Sequence, residues 1–332
     1  MSETERLFKS SVYFSLAQGF NRAIPNNAIK IGIIVTERKF VMTSNLKAIL
    51  TCLLAYFFFD IMSVHVRILS INYSPQELSV YRNVIGVLPA IFYLWYSKEL
   101  SLKISDYKLE QWKLAISRGL VIAIAQLCLY TAIAKLELAT VSALGQVSAL
   151  FTVLLAIFIY NEQVGFWRWT AVIFGFVGAL MIIRPGSDIF SWYSILPICA
   201  AFCYASSIIT LRSFKSSISS AILFLYSAIS AAFGAMALAF GSISFSPIKS
   251  LIDGILITSM AVCGGFGVVF LMYAFRNAPS ALLAPFSYFG ILTSFLIGWI
   301  VFNEFPVDTL FPGVLLILIS GFVIIWRENK KS

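Results

Sequence analysis

Ten runs of about twenty predominantly apolar residues occupy most of this 332-residue chain. At about 1.5 Å per residue, a helix of that length crosses a hydrocarbon core of roughly 30 Å. Lipid offers the backbone no hydrogen-bond partners, so each run must satisfy its own polar groups as a helix. The sequence therefore predicts an all-α integral membrane protein with ten transmembrane helices. The predicted spans are residues 46–66, 76–96, 114–134, 140–160, 166–184, 192–211, 219–240, 255–275, 280–302 and 308–326.

The composition excludes a soluble globular protein. Hydrophobic residues make up 60% of the chain and charged residues 12%, against roughly 45–50% and about 25% in soluble domains. The net charge of +9 comes from basic residues at the ends of predicted spans, where they set topology and contact lipid head groups. We therefore predict membrane lipids as partners and no nucleic acid.

The chain also contains an internal duplication. Two copies of an aromatic-Asn-Glu tripeptide end apolar runs at residues 160–162 and 302–304, which is an offset of 142 residues. Further upstream an offset of 145 pairs Arg67 with Arg212. A repeat of this length far exceeds the 20–50 residues of a solenoid unit, so each copy is predicted to be a folding half.

Each copy contains five predicted spans, which is an odd number. A unit of five crossings enters on one face and leaves on the other, so its second copy must be inverted. The predicted repeats are residues 46–185 and 192–327, arranged around a central cavity. Inverted repeats are a recurrent construction in membrane transporters, because the two halves can exchange conformations around a central site.

Basic residues predict the orientation. If the first helix enters from the cytoplasm, the inside loops and C-terminal tail carry eleven basic residues and the outside loops carry four. This bias predicts a multi-pass protein of the cytoplasmic (inner) membrane with both termini inside. Residues 1–45 and 328–332 are then cytoplasmic tails. For the N-terminal segment two alternatives stay open, an amphipathic cytoplasmic segment or a start codon assigned too early, with Met42 as the true start.

Several short motifs occur in the same order as in a known family. They are Ser74-Pro75-Gln76-Glu77 followed by Arg82, the pairs Asn161-Glu162 and Asn303-Glu304, and the glycines Gly175, Gly178, Gly313 and Gly321. Over residues 46–327 this pattern resembles the EamA-type branch of the drug/metabolite transporter superfamily. The resemblance implies secondary transport of small metabolites by alternating access, without ATP hydrolysis. Many members also carry a proline in the fourth span; here that proline is missing, although Pro285 lies in the ninth.

The resemblance does not imply one substrate, because members are associated with amino acids, purines, drugs, S-adenosylmethionine and vitamins such as riboflavin. We predict a small nitrogenous metabolite, with riboflavin first and the other solutes as alternatives. An intramembrane lipid-modifying enzyme or a lipid flippase is the alternative from another class. No cluster of acidic, histidine or serine groups supports an enzyme, so we predict none. A monomer and a homodimer are equally compatible with the sequence.

Asp60 and Arg82 are the outstanding charged residues within the spans, where each charge has a considerable insertion cost. Each lies about six residues, or roughly 9 Å, below the outer boundary, so antiparallel neighbours would bring them level. Two roles stay open. Either they form a buried ion pair that fixes helix packing, or Asp60 releases Arg82 on protonation and couples transport to protons.

Other polar and aromatic side chains are candidates for substrate contact. Arg118, Ile122, Gln126 and Tyr130 recur every four residues on one face of the third span. Arg118 lies near the cytoplasmic end, where it could snorkel to the interface. Glutamines at mid-depth either bond helix to helix or contact substrate, whereas phenols suit a planar heteroaromatic solute. Besides Asp60 and Arg82, the candidate residues are Tyr81, Gln126, Tyr130, Gln146, Tyr204, Tyr273 and Tyr288.

The remaining reactive side chains carry no predicted chemistry. All five cysteines lie within apolar runs and are predicted to be packing residues. Cys199 and Cys203 lie one turn apart, but no carboxylate or histidine accompanies them, so we predict neither a metal nor a cofactor. Glu162 and Glu304 lie at helix ends and are predicted to cap and pair there rather than bind solute.

Overall fold

The computed structural model describes residues 26–101, 103, 107–161, 166–184, 191–214, 218–240, 245–277, 283, 286 and 288–329. Across these residues the regular secondary structure is entirely helical. The α-helices are α1 Asn26–Leu69, α2 Pro75–Ile85, α3 Val87–Tyr96, α4 Trp112–Lys135, α5 Leu138–Gly145, α6 Ser148–Tyr160, α7 Phe166–Ile183, α8 Ile195–Thr210, α9 Ser220–Ala239, α10 Leu251–Asn277, α11 Phe289–Phe302, α12 Val307–Leu310 and α13 Gly313–Asn329. Short 3₁₀ turns at Trp192–Ser194 and Leu211–Ser213 flank α8.

Length and composition mark seven helical segments of the described chain as candidate membrane spans. They are Leu46–Leu69, Pro75–Tyr96, Trp112–Lys135, Leu138–Tyr160, Trp192–Thr210, Ser220–Ala239 and Leu251–Phe275. Shorter apolar helices, Trp169–Ile183, Phe289–Phe302 and Gly313–Val323, occupy the other three predicted spans. A multi-pass helical membrane protein is therefore confirmed, whereas ten crossings in two repeats stay a prediction.

The chain divides into two compact units, Met1–Lys47 and Ala48–Ser332. The described residues of the first unit are helical and belong to the start of α1. All candidate site residues lie in the second unit.

Two predicted spans are broken helices. The second span breaks at Gly86, between α2 and α3. Pro89 explains this break, because its ring lacks an N–H and clashes with the carbonyl four residues earlier. The fourth span breaks between Gly145 and Ser148, where the Gln146 and Val147 amides bond three residues back. A bend therefore exists in the fourth span without the proline that many relatives of the family carry there.

The aromatic-Asn-Glu tripeptides terminate helices by a shared backbone mechanism. Asn161 and Asn303 cap α6 and α11 in the left-handed conformation, with φ of 50° and 55°. Asparagine tolerates this conformation better than most residues that carry a Cβ. Their predicted place at helix ends is confirmed.

Helix packing places small residues inside and large apolar residues outside. α4 lies against α8 and α9, α2 contacts α9 and α10, α5 contacts α11, and α7 packs along α13. A Cβ added at Gly178 would lie 2.7 Å from the Gly313 carbonyl oxygen, so the α7 and α13 backbones approach closely. Phe158, Trp192 and Ile300 are each at least 74% exposed, as lipid-facing side chains are.

Candidate functional site

Asp60 lies in α1 and is 7% exposed. Its carboxylate accepts hydrogen bonds from the Ser294 hydroxyl, at 3.0 Å, and from the Thr293 hydroxyl. Ser294 Oγ also lies 2.6 Å from Ser142 Oγ. This network joins α1, α11 and α5, and among the described residues no cation lies within ion-pair distance of Asp60.

Arg82 lies in α2 and is 9% exposed. One Nη donates to Asn83 Oδ1 at 3.2 Å, and the other donates to the Gly264 carbonyl oxygen at 3.3 Å. Its Nε has no hydrogen-bond partner within the described chain. Nor does any described carboxylate lie within 4 Å of it. Arg82 is therefore a buried cation whose partners among the described residues are neutral oxygens.

The ion pair between Asp60 and Arg82, one of the two predicted alternatives, is absent from the described structure. Depth places the two residues level, but the direction of each side chain around its helix decides the contact. Met62 follows Asp60 by two positions, or about 200° around α1. The Met62 sulfur accepts the Tyr130 hydroxyl at 3.4 Å, next to Arg82. Asp60 consequently faces α11, away from Arg82.

Three polar side chains lie near Arg82 or near its neighbour Tyr130. Tyr130 is fully buried, and its hydroxyl lies beside the guanidinium. Gln126 lies one turn away on the same face of α4, is 4% exposed, and leaves Oε1 without a partner. Tyr204 of α8 lies within electrostatic range of both Tyr130 and Arg82. We call Arg82, Gln126, Tyr130 and Tyr204, together with the Gly264 carbonyl, the Arg82 cluster.

Besides Asp60, four candidate residues lie outside this cluster. Tyr81 packs edge-on against Phe245, with ring centroids 6.2 Å apart. Tyr288 stacks on Phe322, and Tyr273 is 40% exposed. None of these contacts is with Arg82, and a role of the three rings in substrate binding stays a prediction.

Gln146 lies at the break between α5 and α6. It follows Ser142 by one turn, so it belongs to the neighbourhood of Asp60 rather than of Arg82.

Arg118 is a second inward-facing arginine. It does not snorkel to the interface, which was the simpler of the roles that its position allows. Its Nε donates to the Ser207 carbonyl oxygen at 3.1 Å, and one Nη donates to Ser227 Oγ at 2.8 Å. Arg118 therefore connects α4 with α8 and α9.

Arg67 and Glu304 form an ion pair at 2.8 Å, at the end of the bundle predicted to face outside. Arg67 also donates to the carbonyl oxygens of Ile133, at 2.5 Å, and Leu136, at 3.0 Å. The second Glu304 oxygen accepts the Leu138 amide at 3.0 Å. This Arg67 network ties the end of α1 to the end of α11 and to the α4–α5 junction. It confirms that Glu304 caps and pairs at a helix end.

The start of α2 is fixed by a second acidic residue. Ser74 and Glu77 form a capping box, in which each side chain bonds the other residue's backbone amide. Glu77 also accepts the Ser246 amide, which ties this end to the loop before α10. The fourth-span counterpart of Glu304, Glu162, lies outside the described residues.

Sequence reasoning missed the hydroxyl partners of Asp60. Thr293 and Ser294 form a polar dipeptide in an otherwise apolar helix, and that dipeptide was the available signal. The sequence could not indicate the contact of the Gly264 carbonyl with Arg82, because every residue carries a backbone carbonyl.

An apolar groove and a metal site are two other kinds of functional site, and neither is found at the Arg82 cluster within the described residues. An apolar groove lies on the paired helices α7 and α13 and shares no residue with the Arg82 cluster. It is lined by Trp167, Thr170, Ala171, Phe174, Ile319, Ser320 and Val323. Within the described ranges no group of three or more metal-ligating side chains occurs.

Comparison with known proteins assigns one segment of the chain to a family. Residues 46–184, the segment that carries Asp60, Arg82, Gln126 and Tyr130, match the EamA-like transporter family. This segment, which is less than half of the chain, resembles the EamA-type branch of the drug/metabolite transporter superfamily. The described helices indicate a multi-pass membrane protein, and the matching family and the relatives are named as transporters.

The relatives of this chain differ in the substrate that their names give and in the share of each chain that the match covers. This chain is 28% identical over 182 residues to an S-adenosylmethionine uptake transporter of Rickettsia prowazekii, covering 55% of this chain and 61% of that protein. It is 29% identical over 288 residues to an uncharacterized transporter of Helicobacter pylori strain J99, covering 84% and 96%. A riboflavin transporter of Vibrio cholerae is 27% identical over 176 residues, covering 52% and 57%.

A solved crystal structure shares the fold at a TM-score of 0.59 and 15% sequence identity. The match covers 86% of this protein and 98% of that chain.

Proposed function

We propose that this protein is a secondary active transporter that moves a small nitrogenous metabolite across the cytoplasmic membrane by alternating access, coupled to protons. The observation that carries the proposal is Asp60, a buried carboxylate held by two hydroxyls and, among the described residues, by no cation. Burial without a cation disfavours the charged form of a carboxylate. Proton binding at Asp60 would therefore shift the balance between conformations that bury it and conformations that hydrate it.

Reciprocal contacts between the two halves support the inverted repeats, residues 46–185 and 192–327. A Cβ added at Gly264 would lie 3.0 Å from Arg82 Nε, and one added at Gly119 would lie 2.5 Å from the Ser227 carbonyl oxygen. The repeat offset of 145 converts position 82 into 227 and position 119 into 264. Such an exchange of partners is what a pseudo-two-fold axis between the halves requires.

The Arg67 network supports the alternating-access part of the proposal. It joins α1, α4, α5 and α11 at one end of the bundle through an ion pair and three hydrogen bonds to the backbone. Alternating access needs contacts that close one end while the other is open. We propose that this conformation is closed at the Arg67 end.

The geometry favours a zwitterionic metabolite of the S-adenosylmethionine kind over riboflavin. Riboflavin was expected because of the tyrosines, yet Tyr273 is exposed and Tyr288 stacks on Phe322. The tyrosines that remain in the site, Tyr130 and Tyr204, lie beside a buried cation. Relatives named for S-adenosylmethionine and for riboflavin both exist, so both solutes belong in the test.

The test is uptake by the full-length protein in proteoliposomes under an inward-directed proton gradient. The labelled solutes are S-adenosylmethionine, riboflavin, methionine and adenine. We expect one of them to accumulate and a protonophore to abolish the accumulation. Absence of both uptake and exchange for all four would contradict the proposed substrate range.

Asp60→Asn tests the coupling. The variant should lose concentrative uptake but keep exchange of internal for external solute, because the site can still reorient without a proton. Asp253→Asn, at the start of α10, removes a carboxylate that bonds Tyr73 at a span end and serves as the matched control. Full concentrative uptake by Asp60→Asn would reject Asp60 as the coupling residue.

A further inference from the structure

We propose that Arg82 binds a carboxylate of the substrate and that Gln126 accepts an N–H of the same molecule, so that the solute carries an amino-carboxylate group. This inference rests on the proposed transport function and adds the substrate class. It starts from the two buried side chains of the Arg82 cluster that have unused hydrogen-bonding atoms.

No described carboxylate balances the positive charge of Arg82. A guanidinium offers five N–H donors, yet the described contacts of Arg82 are with neutral oxygens: the Asn83 amide oxygen, the Gly264 carbonyl oxygen and the adjacent Tyr130 hydroxyl. Removing a cation from water is costly unless an anion or a full set of acceptors replaces the water. Nε is buried and free among the described residues, so it can donate to an anionic group of a bound solute.

Gln126 offers an unused hydrogen-bond acceptor among the described residues. Within the part of the chain that the structure describes, its Oε1 is a buried acceptor without a donor, and Gln126 lies one turn from Tyr130, whose hydroxyl adjoins Arg82. Buried amide oxygens are nearly always hydrogen-bonded in folded proteins. The cluster therefore presents free donors at Arg82 and a free acceptor at Gln126, and an amino-carboxylate group supplies the matching acceptors and donors.

A carboxylate suits this site better than a phosphate. The planar guanidinium matches two carboxylate oxygens, and one positive charge balances one negative charge. A phosphate dianion would need a second cation. The other inward-facing arginine, Arg118, donates instead to Ser207 and Ser227, which removes it as that partner.

The fold keeps the proposed proton site apart from the carboxylate site. Asp60 and Met62 point in different directions from α1, toward Ser294 and toward Tyr130 respectively. A carboxylate at Arg82 therefore does not displace Asp60 from its hydroxyls. Proton binding would act on one side of α1 and substrate binding on the other side. Movement of this one helix would therefore affect both sites.

The binding experiment uses the purified full-length protein in detergent, with thermal unfolding and equilibrium binding as readouts. Two pairs of probes differ at the carboxylate, S-adenosylmethionine against decarboxylated S-adenosylmethionine, and methionine against methioninamide. Riboflavin is the probe without a carboxylate. We expect the carboxylate member of at least one pair to bind about 10- to 100-fold more tightly, the range of one charged hydrogen-bond interaction.

Variants assign the discrimination to Arg82. Arg82→Gln should bind both members of a pair equally, whereas Arg82→Lys should keep part of the preference, because a point charge attracts a carboxylate without the bidentate fit. Gln126→Leu should weaken binding of the amino-carboxylate and leave the preference for the carboxylate intact. Tyr273→Phe, on the exposed face of α10, is the control that should behave like the unmodified protein.

Three outcomes would overturn the inference: equal binding within both pairs, unchanged discrimination in Arg82→Gln, or no binding of any carboxylate probe. Riboflavin uptake that Arg82→Gln does not reduce would overturn it too, while leaving the proposed transport function intact. A failure of transport itself appears separately, as a lack of uptake for every solute in proteoliposomes.

Discussion

Arg67 and Arg82 are the same residue type in the same half of the protein, yet their surroundings are opposite. Arg67 has a carboxylate and two carbonyl oxygens as partners at a helix end. Arg82 is more deeply buried and contacts neutral oxygens alone among the described residues. We infer from this difference that the charge of Arg67 stabilises the structure, whereas the charge of Arg82 is available to bind a ligand.

The largest effect is expected from breaking the Arg67 network. Arg67→Gln removes the ion pair and leaves Glu304 partly buried without its cation. We expect a loss of about 2–4 kcal/mol in the free energy of unfolding, since breaking such a pair strands the remaining charge. Thermal unfolding of the purified protein in detergent measures it.

A double-mutant cycle with Glu304→Gln isolates the pair. If the two residues act together, the double variant should lose less stability than the sum of the single variants. Strictly additive losses would show that the contact contributes nothing of its own.

The opposite sign is expected at Arg82. Arg82→Met removes an uncompensated buried cation and fills a similar volume, so the free energy of unfolding should rise by about 1–2 kcal/mol. Transport should be lost in the same variant. A decrease in unfolding temperature without ligand would instead place Arg82 with Arg67, as a residue that stabilises the fold.

Glycines on α10 test how closely Arg82 must approach that helix. Gly264→Ala would place a methyl group 2.7 Å from Met62 Sδ and 3.0 Å from Arg82 Nε. We expect a transport rate about tenfold lower, because a displacement near 1 Å in a site has effects of that order or larger. Initial uptake rates in proteoliposomes provide the measurement.

Gly254→Ala is the matched control on the same helix. Its added Cβ would meet Ile248 alone, at 3.7 Å. Transport should be unchanged, and stability should increase by up to about 1 kcal/mol from better helix propensity. Equal losses in both glycine variants would show that α10 itself, rather than its contact with Arg82, limits transport.

The smallest effect is expected at the cap beside the Arg67 network. Asn303→Gly should change stability by less than about 0.5 kcal/mol, because glycine adopts the left-handed conformation freely. Asn303→Ala should cost about 1 kcal/mol, since Cβ strains that conformation and the asparagine side chain is lost. Similar stability of both variants would contradict this account of the tripeptide.

Much of the helix pattern and part of the site could be predicted from sequence. Seven predicted spans correspond to helices long enough to cross a membrane, and the other three contain shorter apolar helices, since hydrophobic runs respond to lipid regardless of their neighbours. Gln126 and Tyr130 were placed on one face by their spacing, and Tyr130 indeed lies beside Arg82. Tyr273 and Tyr288 were not distinguishable from Tyr130 by spacing, because the rotation of a helix in the bundle depends on its neighbours.

The sequence by itself determined which segments are helical, where the two tripeptides end them, and which charges lie within the spans. These properties follow from local chemistry, namely apolar length, backbone hydrogen bonding and the left-handed preference of asparagine. The tertiary structure alone decided that Asp60 meets hydroxyls of α11, that Arg67 meets Glu304, and that Arg82 has no carboxylate among the described residues. Those contacts depend on how each helix is rotated and tilted against distant segments. Depth and spacing along one chain do not encode that rotation, and it is what gives the two arginines their different roles.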